Sequence, residues 1–553
     1  MVLSRKLYTA LLAGTAAATD DGPCSMGRFA KVLPEGATVT SATYVAAGGS
    51  YGEGTANLPY PIGPANLPAT CALIVNVTSS ATSFYRFGLF LPITTWNERY
   101  LAVGNGGAAG GINWLDMGTG LQYGFAVAGS DMGHNSTSQD ISWALNEPER
   151  KLDFGFRATH GTTVLAKQLT EAFYASPIKY SYYSGCSTGG RQGLKEVQVY
   201  PDDFDGVMVG AAAWWTSHLQ TWATQLGALN LPKNASHSIG PAMAEVIAAE
   251  VIAQCDGVDG FVDGIVSAPD LCNFDADALL CQEGANATRC LTASQVQTVK
   301  KIHGDYIING RFAFPGLELG SEHQWIALFA ALEPPALGLQ YIRNVLLDDP
   351  NWNWREYVDP LVALADCSDP GDWTANDYAS MAAYKARGGK LLMYHGTADA
   401  GIPTGSSTYF YKAVADALGE TGESMADWFR YFVVPGMLHC SGTLVDAPWY
   451  FAGGGQAGEV GTDVHSVPGF SDPAHDALMA LMDWVEKDEP VKSIIATTWV
   501  NMTDPDSGVL RQRPICPFPS RPVYNGAGDP DLADSWACAE LCPQLFRPFL
   551  YGN

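Results

Sequence analysis

Short apolar runs rich in β-branched and aromatic residues recur toward both ends of this chain, with helix-like segments between them. Arg99–Val103 is one such run and leads into the glycine-rich stretch Gly104–Gly111. Phe125–Ala128 and Lys179–Tyr183 read as two more buried strands. The third is followed at once by Gly-Cys-Ser-Thr-Gly-Gly and then by Arg191–Tyr200, which has helical composition. Val207–Val209, Lys390–Tyr394 and Trp428–Val434 continue the series. Ala474, Leu478, Leu481, Met482 and Val485 share one face of a helix over Pro473–Lys487. Apolar strands of this length alternating with helices predict an α/β protein with a mostly parallel sheet covered on both faces.

The rhythm breaks between Gly210 and Gly388. This stretch is rich in Trp and Ala, contains the helix-like Ala242–Gln254, and crowds together Cys255, Cys272, Cys281 and Cys290 before a Trp352-Asn353-Trp354 cluster. An insertion of this size between two strands of one sheet predicts a second unit folded over the first. The expected division is a catalytic domain built from 19–211 and 389–553, with a lid over 212–388.

At 553 residues, 47% hydrophobic and 16% charged, the chain is long and apolar enough for a large core. Its net charge of −26 disfavours nucleic acid and anionic membrane surfaces as partners. No apolar run reaches the roughly 20 residues of a membrane span. Residues 1–18 have the form of a secretory signal peptide: Arg5 and Lys6, an apolar Leu7–Ala13 segment, then Ala16 and Ala18 before a cleavage point. Twelve cysteines and five N-glycosylation sequons, at Asn76, Asn135, Asn234, Asn286 and Asn501, agree with export to an oxidising compartment.

Gly185-Cys186-Ser187-Thr188-Gly189 matches G-x-S-x-G, in which a serine stands on a tight strand-to-helix turn. With 59 glycines in the chain the pattern alone says little. Its setting says more: an apolar strand precedes it, a helix follows, and Gly190 and Gly193 stand where helix and sheet approach closely. A serine hydroxyl needs an adjacent base that is itself oriented by a carboxylate. His439, in the loop after Trp428–Val434, and Asp399, in the loop after Lys390–Tyr394, complete the order Ser, Asp, His of an α/β-hydrolase. His395, at a strand end, reads as structural, and His134 and His160 precede the serine and fit the order poorly. Oxyanion donors are expected from the N–H of Thr188 and from Gly106 or Gly107. Cys186 precedes the serine and Cys440 follows the histidine, so a disulfide between them would hold both backbones within about 6 Å.

These residues resemble the CS-D-HC signature of the fungal tannase and feruloyl esterase family. YYSGCSTGGRQG, FDGVMVGAAA, GGKLLMYHGTAD and VPGMLHC are similar to that family's strings, and the likeness runs from about residue 24 to 540. It implies an α/β-hydrolase with a large lid and a serine esterase mechanism carried by Ser187, Asp399 and His439. The expected substrates are feruloyl, p-coumaroyl or caffeoyl esters of plant cell walls. Galloyl esters are the alternative, and a catalytically silent binding protein a more distant one. Lid side chains around Trp214, Trp215 and Trp352 are the expected substrate contacts.

The segment from Cys255 to Ile265 holds three aspartates in eight residues, each followed by a flexible turn. Its chemistry suits either a calcium loop or a solvated acidic turn. The resemblance implies a structural calcium ion held by the side chains of Asp256, Asp259 and Asp263 and the carbonyls of Phe261 and Ile265. It further implies the pairs Cys24–Cys71, Cys255–Cys272, Cys281–Cys290 and Cys516–Cys538; with Cys186–Cys440 added, Cys367 and Cys542 are left over, and a bridge from lid to carboxyl terminus is one pairing open to them. Better-known feruloyl esterases carry one more disulfide, whose second cysteine falls near Gly111 here.

Overall fold

The computed structural model describes residues 22, 24–284, 286–325, 329 and 331–540. The segment read as a signal peptide and Cys542 lie outside them. The strands are β1 (Ala37–Val45), β2 (Thr70–Thr78), β3 (Phe84–Pro92), β4 (Arg99–Val103), β5 (Ala126–Ser130), β6 (Tyr180–Cys186) and β7 (Gly206–Gly210). There follow β8 (Tyr306–Ile308), β9 (Arg311–Phe314), β10 (Lys390–Gly396), β11 (Phe429–Val434), β12 (Ile494–Asn501), β13 (Asp504–Pro517), β14 (Arg521–Tyr524) and β15 (Trp536–Ala539).

Eleven of them form one sheet in the order β1-β2-β3-β5-β4-β6-β7-β10-β11-β13-β12. Its centre, β5-β4-β6-β7-β10-β11, is parallel throughout. Alternate residues of β10 enter different cores: Leu391 and Met393 pack on one face, Leu392 and Tyr394 on the other. That two-sided burial explains why the central strands read as continuous apolar runs. The flanks are different. β1, β2 and β3 on one side and β13 and β12 on the other pair antiparallel, and they widen the predicted parallel sheet into a mixed one.

Between β7 and β10 no described residue joins this sheet; the insertion carries only the β8–β9 hairpin, helices and a core of its own. It is fastened to the part built on the large sheet from both directions. Ala400 and Ile402 belong to the core of the insertion, while Tyr341, Ile342 and Val345 from the insertion pack in the core of the sheet.

Five disulfides are formed among the described residues: Cys24–Cys71, Cys186–Cys440, Cys255–Cys272, Cys281–Cys290 and Cys516–Cys538. Cys367 is exposed and unpaired among the described residues. Gly111 abuts Asn57: a Cβ there would lie 2.3 Å from Asn57 Oδ1.

Candidate active site

The turn after β6 is set by close packing. The helix Thr188–Val199 lies so near the sheet that a Cβ on Gly190 would meet Gly210 O at 2.6 Å, and one on Gly193 would meet Tyr183 and Val209 at 2.7 Å. Ser187 therefore turns the chain within a single residue, at φ 62° and ψ −121°, a backbone state that costs a non-glycine residue energy. Hydrogen bonds hold it there: Ser187 N donates to Gly210 O at 2.9 Å, and Ala213 N and Arg191 N both donate to Ser187 O at 3.0 Å. The serine is half-buried at the wall of a cavity of about 770 Å³ that also receives His439, Thr188, Gly106 and Gly107.

His439 arrives from the loop after β11. Its Nδ1 is 2.6 Å from Asp399 Oδ2. Asp399, in the loop after β10, is fully buried and accepts further hydrogen bonds from Gly401 N at 2.8 Å and Ile402 N at 2.9 Å. Burial opposes ionisation of this carboxyl, but the two neighbouring imidazoles outweigh it and hold the group well below the usual carboxylate range. The same balance acts on His439: burial disfavours the imidazolium, and the Asp399 charge and hydrogen bond more than offset it, leaving the pKa above that of a free histidine. Ser187 Oγ donates to no protein acceptor among the described residues. This contact is commonly loose in free enzymes and tightens with substrate.

The Cys186–Cys440 disulfide, with Cα atoms 6.0 Å apart, ties the serine turn to the histidine loop. On the glycine-loop side, Thr188 Oγ1 donates to Gly107 O at 2.7 Å. Gly104 packs on the helix start, where a Cβ would lie 2.5 Å from Gly189 Cα. The N–H groups of Thr188 and Gly107 donate to no protein acceptor among the described residues, whereas Gly106 N donates to Tyr60 Oη at 3.0 Å. The two glycines are thus no longer equivalent.

Several functional neighbours escape a reading of the sequence. His395 does more than end a strand: its Nε2 lies 3.0 Å from the same Asp399 oxygen that His439 uses, and its Nδ1 is 2.8 Å from Ser407 Oγ. The His-x-x-x-Asp spacing was the available signal. The insertion also grips the acid loop, because Gln324 Oε1 accepts Ala400 N at 2.7 Å and Glu318 accepts Thr404 N at 2.9 Å. Burial pushes the Glu318 carboxyl up to about 8 despite these N–H donors. Trp214, Trp215 and Trp352 themselves pack into or against the core around the sheet, Trp214 fully buried with its Nε1 on Ser406 O at 3.2 Å. Their neighbours Ala213 and Thr216 line the cavity, together with Leu219, Gln220 and Trp222 further along the same segment.

The acidic loop is compact. Asp256 accepts the N–H groups of Asp263 at 3.1 Å and Gly264 at 2.9 Å, and Asp263 Oδ2 lies 2.7 Å from Arg513. The carbonyls of Phe261 and Ile265 accept no hydrogen bond among the described residues, and burial, with the Asp263 charge adding, raises the Asp259 carboxyl. Hard oxygens with spare acceptor capacity fit a calcium ion in kind. The three carboxylates do not converge within 4.8 Å, a condition met among the described residues by His160, Glu196 and Asp203 alone.

A mixed sheet with a parallel centre, a strained serine after the central strand β6, and an Asp–His pair from the loops after β10 and β11 define an α/β-hydrolase. The chain belongs to the tannase and feruloyl esterase family: the family model described as "Tannase and feruloyl esterase" matches residues 71–334 and 339–539. An Aspergillus terreus protein described as "Probable feruloyl esterase B-2" is 34% identical over 498 residues, covering 88% of this chain and 91% of its own length. The crystal structure of feruloyl esterase B from Aspergillus oryzae superposes with a TM-score of 0.84 at 32% identity, over 94% of this chain and 99% of that one. The tannin acyl hydrolase from Aspergillus niger shares the fold, with a TM-score of 0.73 at 22% identity over 95% and 96% of the two chains.

Proposed function

We propose that this chain is a secreted serine esterase that releases ferulic, p-coumaric or caffeic acid from plant cell-wall esters. The observation that carries the mechanism is the 2.6 Å His439–Asp399 contact on a loop covalently tied to the serine turn. Asp399 holds the His439 tautomer that presents Nε2 as base. His439 takes the Ser187 proton as Oγ attacks the ester carbonyl, and the N–H of Thr188 with one from the glycine loop receives the oxyanion. His439 then protonates the leaving alcohol. Water, activated by the same imidazole, releases the aromatic acid from Ser187. The feruloyl assignment rests on the relatives' names together with their identity and coverage.

Hydrolysis of methyl ferulate, methyl caffeate, methyl p-coumarate and methyl gallate by wild type and Ser187→Ala tests this reading. Cinnamate turnover abolished by the substitution is the expected result. Gallate turnover alone would make the chain a tannase with the same triad.

Export is supported by the signal-like amino terminus and the five disulfides. Asn234, Asn286 and Asn501 are exposed and are the readiest sequons for glycans, whereas Asn76 and Asn135 are half-buried. For the acidic loop the proposal is a structural calcium ion on Asp256, Asp259, Asp263 and the carbonyls of Phe261 and Ile265. Added calcium should then raise Tm after chelation, and Asp259→Asn should abolish that rise.

A further inference from the structure

We propose that Tyr60 is a catalytic residue of this esterase, its phenolic O–H completing the oxyanion hole beside the Thr188 N–H. The inference rests on the serine mechanism above.

Tyr60 Oη accepts the N–H of Gly106 at 3.0 Å and has the Asn105 side chain as a second hydrogen-bonding neighbour, both of which favour charge on its oxygen. The ring lines the same cavity as Ser187, Thr188 and His439. Gly106 sits next to Gly107, whose carbonyl is bound by Thr188 Oγ1 at 2.7 Å, so the phenol and the serine turn lean on the same short loop. Burial raises the phenol pKa, which keeps the proton in place over the working pH range. A hydroxyl that accepts one hydrogen bond is polarised toward donating another. With its N–H committed to Tyr60, Gly106 acts through the phenol.

The phenol stands against the glycine loop at Gly106, on a fixed support. Pro59 and Pro61 flank it and restrict its backbone. Asn57, fully buried, donates to Ile112 O at 2.8 Å and accepts Tyr60 N at 3.3 Å. Asn135 adds two bonds to the same segment, accepting Leu58 N at 3.0 Å and donating to Ala56 O at 2.7 Å. No strand of the sheet carries Tyr60, which is why the motif around the serine gives no hint of it.

The test compares wild type, Tyr60→Phe and Ser187→Ala on methyl ferulate, with inhibition by an aryl boronic acid, binding of free ferulate, and Tm. The proposal expects Tyr60→Phe to lower kcat about 100-fold, as removal of one oxyanion donor does. Boronate affinity should fall in parallel, because its tetrahedral adduct needs the same donor, while ferulate binding and Tm stay unchanged. An unchanged or higher kcat overturns the proposal; a higher one would mean that the hydroxyl obstructs the hole. If Tm, ferulate binding and kcat fall together, the ring is only structural and the proposal is again overturned. Turnover retained in Ser187→Ala would instead sink the serine mechanism itself.

Discussion

Cys186 and Cys440, 254 residues apart in sequence, stand with their Cα atoms 6.0 Å apart; Cys186 immediately precedes Ser187 and Cys440 immediately follows His439. Ser187 and His439 therefore share one covalent tie across two strands of the sheet. The tie limits how far the histidine loop can drift from the serine turn, and both flanking backbones are held at positive φ, 62° at Ser187 and 65° at Cys440.

Breaking the tie should cost activity as well as stability. For the double variant Cys186→Ser, Cys440→Ser, denaturant unfolding should show a loss of about 2–4 kcal/mol. The kcat of the fraction still folded should fall at least tenfold, because an ångström of misplacement slows attack. Full kcat in the folded fraction would show that the disulfide only stabilises.

Asp399 supports two imidazoles through one oxygen, and its removal predicts a pH shift of known sign. Asp399 raises the His439 pKa, so the wild-type enzyme loses base activity below a pKa lying above that of a free histidine. In Asp399→Asn the acidic limb of kcat/KM should move to lower pH while kcat drops by about 10⁴. A limb that stays in place or moves up would contradict the assignment.

His395→Asn should show a weaker form of the same behaviour. Loss of its bond to Asp399 Oδ2 and of its link to Ser407 leaves the carboxylate less constrained. A five- to tenfold lower kcat with a displaced acidic limb is the expected outcome, read from the pH–rate profile (on the order of the 10²–10⁴ that acid–base catalysis supplies, and less because the effect is indirect). A fall in Tm with an unmoved pH profile would reduce His395 to packing.

Stability should fall as pH rises from about 5 to 8. Burial pushes both Glu318 and Glu322 up to about 8 from an ordinary 4.5. Between those values the folded chain keeps protons that the unfolded chain has released, so unfolding becomes easier as pH increases. Glu318→Gln should flatten this slope in urea denaturation midpoints. An unchanged slope would mean that Glu318 is ionised in the folded enzyme.

The central strands and the loops that carry Ser187, Asp399 and His439 were legible in the sequence because each carries a strong local signal. β7 and β10 are apolar on both faces, Ser187 sits in a glycine-rich turn, and Asp399 and His439 follow strands in the order the fold requires. The antiparallel flanks were not legible. β1 and β13 are half-exposed and bulged and carry little continuous apolar character, whereas β2 and β3 are buried apolar runs whose antiparallel pairing no local feature announces. Long-range partners were hidden for a different reason: Tyr60, Gln324 and Glu318 reach the site by tertiary contact from segments with no motif of their own. The tryptophans misled because large aromatics are most often core, and Trp214 and Trp215 stack on one another at 5.1 Å beside the sheet.

The central claim is that Ser187 is the nucleophile that carries the acyl group. The most direct measurement treats the enzyme with an aryl phosphonate ester and maps the modified peptide by mass spectrometry. Stoichiometric inactivation with the label on Ser187, protection by ferulate, and no label in Ser187→Ala are expected. A label on another residue, or methyl ferulate turnover that survives Ser187→Ala, would contradict it.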